Sequence, residues 1–366
     1  MKLRTLSVLA SALALASCVE GPETIAEHTQ PIINGEACAS EVLPQTVALI
    51  IDASVNFNGD EYPLRALMCT GTLIAPDTVL TAAHCLDPLA LTGGVGTLTY
   101  ANYYISTTAD LRSLSQQQSP AELPADAIAA HTVLIQEDFT LEVEQTPGLS
   151  NFRDIGLMFL EEEVVGIEPS IVMTPEEAAN LAVGDEVQIA GWGQTGPESD
   201  APAGVKNCAT ANIFEIGDFE IQIGNEPTTS RKCHGDSGGP TFATIQTDSD
   251  RKDRVIGATS RAYDSSDCLK GGVDTMPSAW YEWIDGHMTA QCESGDRVWC
   301  DVDGIVPPSF YDEDETNPGD EDGDETGGCG CNTNTSGSGG TFFGALFLAL
   351  AWTMRRRRVA APTANR

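Results

Sequence analysis

The segment Cys233-His234-Gly235-Asp236-Ser237-Gly238-Gly239-Pro240 places one serine among three glycines. A serine hydroxyl is a weak nucleophile unless a base takes its proton, and the oxyanion formed on attack needs donors that already point at it. Glycine allows the tight turn on which such donors converge. We therefore interpret Ser237 as a nucleophile, with the backbone N–H groups of Gly235 and Ser237 as its oxyanion hole.

Two other segments supply the groups that such a serine needs. His84, in Thr81-Ala82-Ala83-His84-Cys85, ends an apolar run that is typical of a strand, and Asp154 opens another, Asp154-Ile155-Gly156-Leu157-Met158. An imidazole can take the hydroxyl proton, and a carboxylate can hold the imidazole in the correct tautomer. We expect His84 to be the base and Asp154 the group that orients it.

These three motifs, in this order, resemble those of the trypsin/chymotrypsin-like serine peptidases. Ile32-Ile33-Asn34-Gly35 before them and Gly191-Trp192-Gly193 between them extend the resemblance, which covers about Ile32 to Ala290. It implies an all-β fold of two six-stranded antiparallel barrels with the site between them. It also implies hydrolysis of protein or peptide substrates through an acyl-enzyme, without a cofactor.

The hydrophobic pattern independently favours an antiparallel all-β domain, because short apolar runs alternate with Gly and Pro. Thr174-Pro175-Glu176-Glu177 has the pattern of a capping box and predicts a short helix. Apolar residues at helical spacing from Trp280 to Met288 predict a C-terminal helix. The polar interval from Asp87 to His131 looks like an enlarged surface excursion. The apolar runs are Val47–Ile51, Leu67–Ile74, Val79–Ala83, Ile155–Leu160, Val187–Ala190 and Val255–Ala258.

The N-terminus has the basic start and apolar centre of an export signal. Leu15-Ala16-Ser17-Cys18 resembles a lipobox, which would make Cys18 the lipidated first residue of a bacterial lipoprotein. The alternative is an ordinary signal peptide that contains a cysteine. Either way we expect export to the bacterial cell surface or outer membrane, or secretion after processing, where cysteines can oxidise.

In the family that the motifs resemble, cleavage frees the amino group of the first isoleucine, which pairs with the aspartate before the nucleophile. Carried over, Ile32 would pair with Asp236. Thr29-Gln30-Pro31 contains no lysine or arginine, so we expect another peptidase to make the cut. In the alternative, Ile32 begins a strand and no cut occurs.

The chain has eleven cysteines, so at least one is unpaired or modified, and a lipidated Cys18 would account for it. No histidine cluster accompanies their spacing, so we expect no metal site. The resemblance implies disulfides between Cys38 and Cys208, Cys69 and Cys85, and Cys233 and Cys268, and leaves Cys292 and Cys300 for a local loop.

The resemblance also implies a specificity pocket beside the nucleophile. Arg231 falls at its base, where trypsins carry an aspartate, so charge repulsion disfavours lysine or arginine before the cut. Either Arg231 accepts an acidic side chain through charge-assisted hydrogen bonds, or Asp274 pairs with Arg231 and leaves a neutral floor. Gly272 would leave the pocket open, and Ala262 would narrow its mouth.

Three residues around this pocket complete the interpretation. Ser260 falls where the family has a serine that supports the triad aspartate, whereas Arg261 replaces the usual aromatic residue beside it. We interpret His234, before the oxyanion glycine, as a residue of the cleft rim rather than a second base.

The tail begins with an acidic and Gly/Ser-rich run that cannot bury a core, so we expect a disordered spacer, with calcium binding as the alternative. Cys329 and Cys331, the apolar segment after them and the arginine cluster Arg355–Arg358 resemble the MYXO-CTERM sorting signals of myxobacteria. That resemblance implies a sorting peptidase and display at the cell surface. A permanent membrane anchor is the alternative, although the apolar segment is shorter than the roughly 20 residues of a comfortable span.

The sequence thus divides into a signal peptide (1–17), a propeptide or tether (18–31), a peptidase domain (32–290), a disulfide-closed extension (291–310), a low-complexity linker (311–340), a hydrophobic sorting or transmembrane segment (341–358) and a tail (359–366). A net charge of −35 at pH 7 argues against a nucleic-acid partner. The sequence predicts a serine endopeptidase that is secreted or held at the membrane by its N-terminal lipid, its C-terminal segment or both. The alternative is a catalytically silent binding module or permanent zymogen on the same fold.

Overall fold

The computed structural model describes residues 32–92, 96–115, 121–141, 146–194, 203–225, 229–232, 234–245, 253–264, 267–297 and 300. The predicted signal peptide, tether and lipidation site at Cys18 lie outside these residues. So do Cys233, the acidic linker, the sorting cysteines Cys329 and Cys331, and the C-terminal apolar segment.

The first barrel is closed by six antiparallel strands in the order β2-β3-β4-β7-β6-β5. Successive residues of a strand point to opposite faces, so each strand contributes to two apolar layers. In β4, Val79 packs inside the barrel with Leu49 and Met158, while Leu80 packs outside it. The strands are β2 (Thr46–Phe57), β3 (Asp60–Ala75), β4 (Thr78–Thr81), β5 (Thr97–Ser106), β6 (Ile128–Ile135) and β7 (Gly156–Leu160).

The second barrel is closed by β9, β10, β11, β14, β13 and β12, and the pairing of β9 with β10 completes its ring. Two short strands are attached to it, β1 (Glu36–Ala37) on β10 and β8 (Ile171–Val172), parallel, on β13. The expected pair of six-stranded antiparallel barrels is confirmed. The barrel strands are β9 (Glu186–Gly191), β10 (Asn207–Ile216), β11 (Glu220–Ile223), β12 (Pro240–Thr244), β13 (Asp253–Asp264) and β14 (Asp267–Thr275).

Within the described residues, the α-helices are α1 (Pro88–Thr92), α2 (Arg112–Ser115), α3 (Pro175–Ala178) and α4 (Tyr281–Ser294). The capping box predicted at the start of α3 is present, since Thr174 and Glu177 each accept a hydrogen bond from the other's backbone. The predicted C-terminal helix is α4, and its Ile284 and Met288 pack with Leu80 of the first barrel and Val255 of the second. Among the described residues, no helix has the length and hydropathy of a membrane span.

The expected surface excursion between Asp87 and His131 was wrong for part of its length. Ten of these residues form β5, which pairs with β2 and β6 and closes the first barrel. The C-terminal half of this strand is mostly buried, whereas its N-terminal half is mostly exposed. Polar residues on that half weaken the strand signal, although its Tyr, Thr and Ile residues are good strand formers.

The structure contains the disulfides Cys38–Cys208, Cys69–Cys85 and Cys292–Cys300. Cys268 is also disulfide-bonded, and its expected partner lies outside the described residues. Cys38–Cys208 joins the N-terminal segment to β10, and Cys69–Cys85 joins β3 to the turn that carries His84.

A buried ion pair fastens the segment after α4 to the first barrel. Arg297 Nε donates to Asp77 Oδ1 at 3.1 Å, and Arg297 Nη1 donates to the Met288 backbone oxygen at 3.1 Å. Both side chains are almost fully buried. Removal of either partner therefore leaves an unpaired charge in the interior.

Replacing Arg297 with Met should lower the free energy of unfolding by about 3–5 kcal/mol, because Asp77 would remain buried without its partner. The matched control is Arg112→Met, whose pair with Asp110 is 60% and 54% exposed and should be worth less than about 1 kcal/mol. Urea unfolding measures both variants. Equal small losses in the two variants would contradict this account of the Arg297 pair.

Candidate active site

The loop that carries Ser237 depends on two glycines with left-handed backbone. Gly235 has φ +93° and Gly238 has φ +74°. A Cβ on Gly235 would lie 2.8 Å from Gly193 Cα, and one on Gly238 would lie 2.5 Å from the Thr70 backbone oxygen. Thr70 in turn donates its N–H to the Ser237 backbone oxygen at 2.8 Å. The loop of the second barrel is thus pressed against β3 of the first.

His84 and Asp154 are brought together by the pairing of β4 with β7. Thr81 is opposite Gly156 in this pair, so the residues just beyond these strand ends share one edge of the barrel. The Asp154 carboxylate is fully buried. Its Oδ1 accepts the His84 backbone N–H at 2.9 Å, and its Oδ2 lies 2.8 Å from His84 Nδ1. This contact fixes the imidazole through Nδ1.

Asp154 remains a carboxylate in spite of its burial. Burial acts to raise its pKa, but the charge and hydrogen bonds of His84 and the Ser260 hydroxyl outweigh burial and hold the pKa below its ordinary value. Ser260 Oγ donates to Asp154 Oδ2 at 2.7 Å, as the family resemblance implies for this serine. A negative charge therefore faces the imidazole at neutral pH.

His84 and Ser237 line the same cavity of about 440 Å³. The rest of its wall is mainly apolar and includes Leu64, Met68 and Leu91. The sulfur atoms of Cys69 and Cys85 also lie near His84, but they are bonded to each other and are not thiolate ligands. Apolar side chains therefore line much of the cavity beside the predicted base and nucleophile.

Asp236 occupies a fully buried site that glycines make possible. Its Oδ1 accepts the Gly193 backbone N–H at 2.9 Å, and a Cβ on Gly193 would lie 2.6 Å from its Cγ. Ile32 is also fully buried and packs in the core of the second barrel, with φ +44°. A left-handed β-branched residue is strained. Ile32 thus has an unfavourable backbone conformation.

The predicted pairing of Asp274 with Arg231 was wrong. Asp274 Oδ2 pairs with Lys232 Nζ at 2.7 Å, and both side chains are fully buried. Arg231 instead donates from Nε to the Cys268 backbone oxygen and from Nη1 to the Thr229 backbone oxygen, each at 3.0 Å. Successive side chains of extended backbone point to opposite sides, so the buried carboxylate meets the lysine.

Lys232, to which the sequence analysis assigned no role, is therefore the partner of Asp274. Burial lowers the pKa of its ammonium group, and the Asp274 carboxylate works against that shift. Gly272 is paired with Ala262 across β13 and β14, and a Cβ on Gly272 would meet Lys232 Cβ at 3.6 Å. Gly272 and Lys232 thus lie close together. His234 is exposed, as expected for the rim.

Glu220 is a second residue that sequence reasoning missed. It is fully buried and pairs with Arg261, the residue that follows Ser260. Glu220 is 41 residues from Arg261 in the chain, so no local pattern connects them. The sequence signal that could have suggested a buried partner is Arg261 itself, a charged residue next to Ser260 in β13.

Two closed antiparallel barrels, with a carboxylate and imidazole from one and a glycine-held serine from the other, are the arrangement of the trypsin-like serine proteases. The Trypsin family model matches residues 32–284, and the chain belongs to this family.

Curated relatives are similar to this chain at low identity. A snake venom serine protease homolog of Bothrops jararacussu is 25% identical over 265 residues, which cover 69% of this chain and 85% of the relative. The thrombin-like enzyme halystase of Gloydius blomhoffii is 27% identical over 205 residues, or 50% of this chain and 71% of the relative. The thrombin-like enzyme calobin-1 of Gloydius ussuriensis is 26% identical over 196 residues, or 50% and 65%.

Replacing Ser260 with Ala should lower the free energy of unfolding at pH 7 by about 1.5–3 kcal/mol, because a buried carboxylate loses a hydrogen bond. The lowered pKa of Asp154 stabilises the fold above the unfolded-state pKa of about 3.9, and this stabilisation is lost as pH falls through the folded-state pKa. The deficit of the variant should therefore shrink in acid. Urea unfolding between neutral and acidic pH measures it.

The control for this prediction is the same substitution in an Asp154→Asn background. An amide does not titrate, so the cost of Ser260→Ala should then be independent of pH. A cost in the native background that stays constant into acid would contradict the assignment of the Ser260 bond to an ionised Asp154.

Proposed function

We propose that this chain is an exported serine endopeptidase that hydrolyses peptide bonds through an acyl-enzyme on Ser237. The observation that carries the proposal is the buried Asp154 carboxylate 2.8 Å from His84 Nδ1, with His84 and Ser237 on the wall of one cavity. Family membership supports the same reaction class.

In the proposed mechanism His84 Nε2 takes the Ser237 hydroxyl proton as Oγ attacks the scissile carbonyl carbon. The oxygen becomes an oxyanion that the N–H groups of Gly235 and Ser237 stabilise. The imidazolium, held by Asp154, then donates its proton to the leaving amine, and the C–N bond breaks. Water, deprotonated by His84, releases the acid product and restores the serine.

We propose activation by cleavage before Ile32. The buried Ile32 side chain and its left-handed backbone support this step, because a free N-terminus removes the restraint of the preceding peptide bond. The new ammonium would pair with the buried Asp236 carboxylate and fix the oxyanion loop. A separate activating peptidase would make the cut, since Thr29-Gln30-Pro31 contains no lysine or arginine.

We propose that the specificity pocket accepts substrates whose side chain before the cut is neutral or acidic. The buried pair of Lys232 and Asp274 supplies a neutral floor, in place of the Arg231–Asp274 pair. Arg231 is the group that would attract a carboxylate. We propose that the cavity beside His84 binds the substrate residue after the cut. Its lining side chains include Leu64, Met68 and Leu91, which favour an apolar residue at that position.

Export, lipidation at Cys18 and sorting near Cys329 or Cys331 remain proposals from the sequence. The disulfides support an oxidising compartment. A relative named for snake venom agrees with a protease that acts outside cells.

A binding module on a protease fold is the second candidate. It is favoured by one relative whose name is serine protease homolog. A chain that is never cut before Ile32 would likewise remain a permanent zymogen.

Fluorophosphonate labelling separates the candidates. The chain beginning at Ile32 should be labelled, the chain with residues 1–31 much less so, and Ser237→Ala not at all, with turnover reduced on the order of a million-fold. The exposed serine variant Ser294→Ala should label like the parent chain. No labelling of either chain would favour the binding module.

Cleavage of a peptide library by the chain beginning at Ile32 tests the pocket. We expect neutral or acidic residues before the cut and apolar residues after it. Arg231→Gln should erase an acidic preference and leave a neutral one unchanged. Clear selection of Lys or Arg before the cut would contradict the proposed pocket.

A further inference from the structure

Arg261 and Glu220 form a buried, two-pronged ion pair in the second barrel. Arg261 Nη1 donates to Glu220 Oε1 at 2.7 Å, and Arg261 Nη2 donates to Glu220 Oε2 at 2.9 Å. The Arg261 residue is 8% exposed and Glu220 is fully buried. Two charges in the interior carry a desolvation cost that packed apolar side chains would avoid. A contribution to the free energy of unfolding therefore does not explain why the pair is present.

Arg261 Nη1 donates to Ser260 Oγ at 3.5 Å, and within the described residues the pair's other side-chain hydrogen bonds go to one segment, residues 146–152. Arg261 Nε donates to the Thr146 backbone oxygen at 3.0 Å, and Arg261 Nη2 donates to the Gly148 backbone oxygen at 2.7 Å. Glu220 Oε2 accepts the Ser150 backbone N–H at 2.6 Å. The Phe152 ring stacks over the guanidinium, with 5.2 Å between Arg261 Cζ and the ring centroid.

This segment leads directly into Asp154. Arg261 and Glu220 belong to β13 and β11 of the second barrel, whereas Asp154 precedes β7 of the first. Arg261 also follows Ser260 in the sequence, and Ser260 Oγ donates to Asp154 Oδ2 at 2.7 Å. The Arg261 side chain thus contacts the segment that leads into Asp154 and also Ser260, which hydrogen-bonds the Asp154 carboxylate.

We propose that Arg261, held by Glu220, is a positioning residue that fixes segment 146–152 and thereby the Asp154 carboxylate against His84. This role rests on the proposed peptidase function. A guanidinium is suited to it because its planar fork can serve a carboxylate and two carbonyl groups at once. A lysine has one nitrogen and cannot reach all three acceptors.

The test measures kcat, KM and the pH dependence of kcat/KM for the activated chain and its variants. Arg261→Met should lower kcat on the order of 100-fold, as expected for a misplaced catalytic group, with KM changed by less than about threefold. The acidic limb of kcat/KM should move to lower pH, because a loosened carboxylate favours the imidazolium less. A purely structural residue would leave that limb unchanged.

The matched control is another arginine–glutamate pair, which joins β13 to α3 and whose glutamate side chain is 25% exposed. Arg254 on β13 lies 3.0 Å from Glu177 and is itself buried, but these contacts are outside segment 146–152. Arg254→Met should lower stability and leave kcat and the acidic limb at their parent values.

Two further variants separate positioning from folding. The double variant Arg261→Met/Glu220→Met removes both buried charges and should recover stability, but not kcat, because Met cannot bind the two carbonyl groups. Arg261→Lys keeps the charge and should still lose kcat. Parent values of kcat and of the acidic limb in Arg261→Lys, or full recovery of kcat in the double variant, would overturn the proposal.

A readout independent of turnover keeps this test apart from that of the proposed function. In a Ser237→Ala background, the midpoint of the His84 imidazole titration, followed by NMR, should fall when Arg261→Met is added. An unchanged midpoint would overturn the positioning role even in an active enzyme. A lowered midpoint in a chain that hydrolyses nothing would support the positioning role while the peptidase proposal fails.

Discussion

The Asp154 carboxylate is the buried charge on which the arrangement of the site depends. It accepts hydrogen bonds from the His84 backbone and the Ser260 hydroxyl and faces the His84 ring. A carboxylate without such partners would be protonated at this depth, and a protonated acid would orient the imidazole poorly. The partners come from both barrels, so the charge is stable only when the barrels are packed together.

The second barrel holds two further buried ion pairs close to the predicted site, Lys232 with Asp274 and Arg261 with Glu220. Each is more costly than an apolar pair of the same size. The positions of the two pairs near the predicted site therefore explain their presence better than a contribution to the free energy of unfolding does. We propose that the first forms the floor of the specificity pocket and that the second holds the segment that leads into Asp154.

Much of the fold followed from local chemistry. The capping box at Thr174 needs only four consecutive residues, and buried strands such as β7 show as continuous apolar runs. The strand β5 did not follow, because half of it is exposed and its sequence is polar there. The partner of Arg231 was predicted wrongly because two adjacent cations compete for one carboxylate, and only the direction of the backbone decides between them. Glu220 was missed because its role depends on a partner distant in sequence.

The proposed peptidase activity requires a covalent bond between the substrate acyl group and Ser237, formed with the help of His84. Acid-quench mass spectrometry of the activated chain mixed with an ester substrate measures that bond directly. We expect an acyl adduct on the peptide that contains Ser237, and its loss in His84→Ala. An active chain with no adduct, or with the adduct on another residue, would contradict the account.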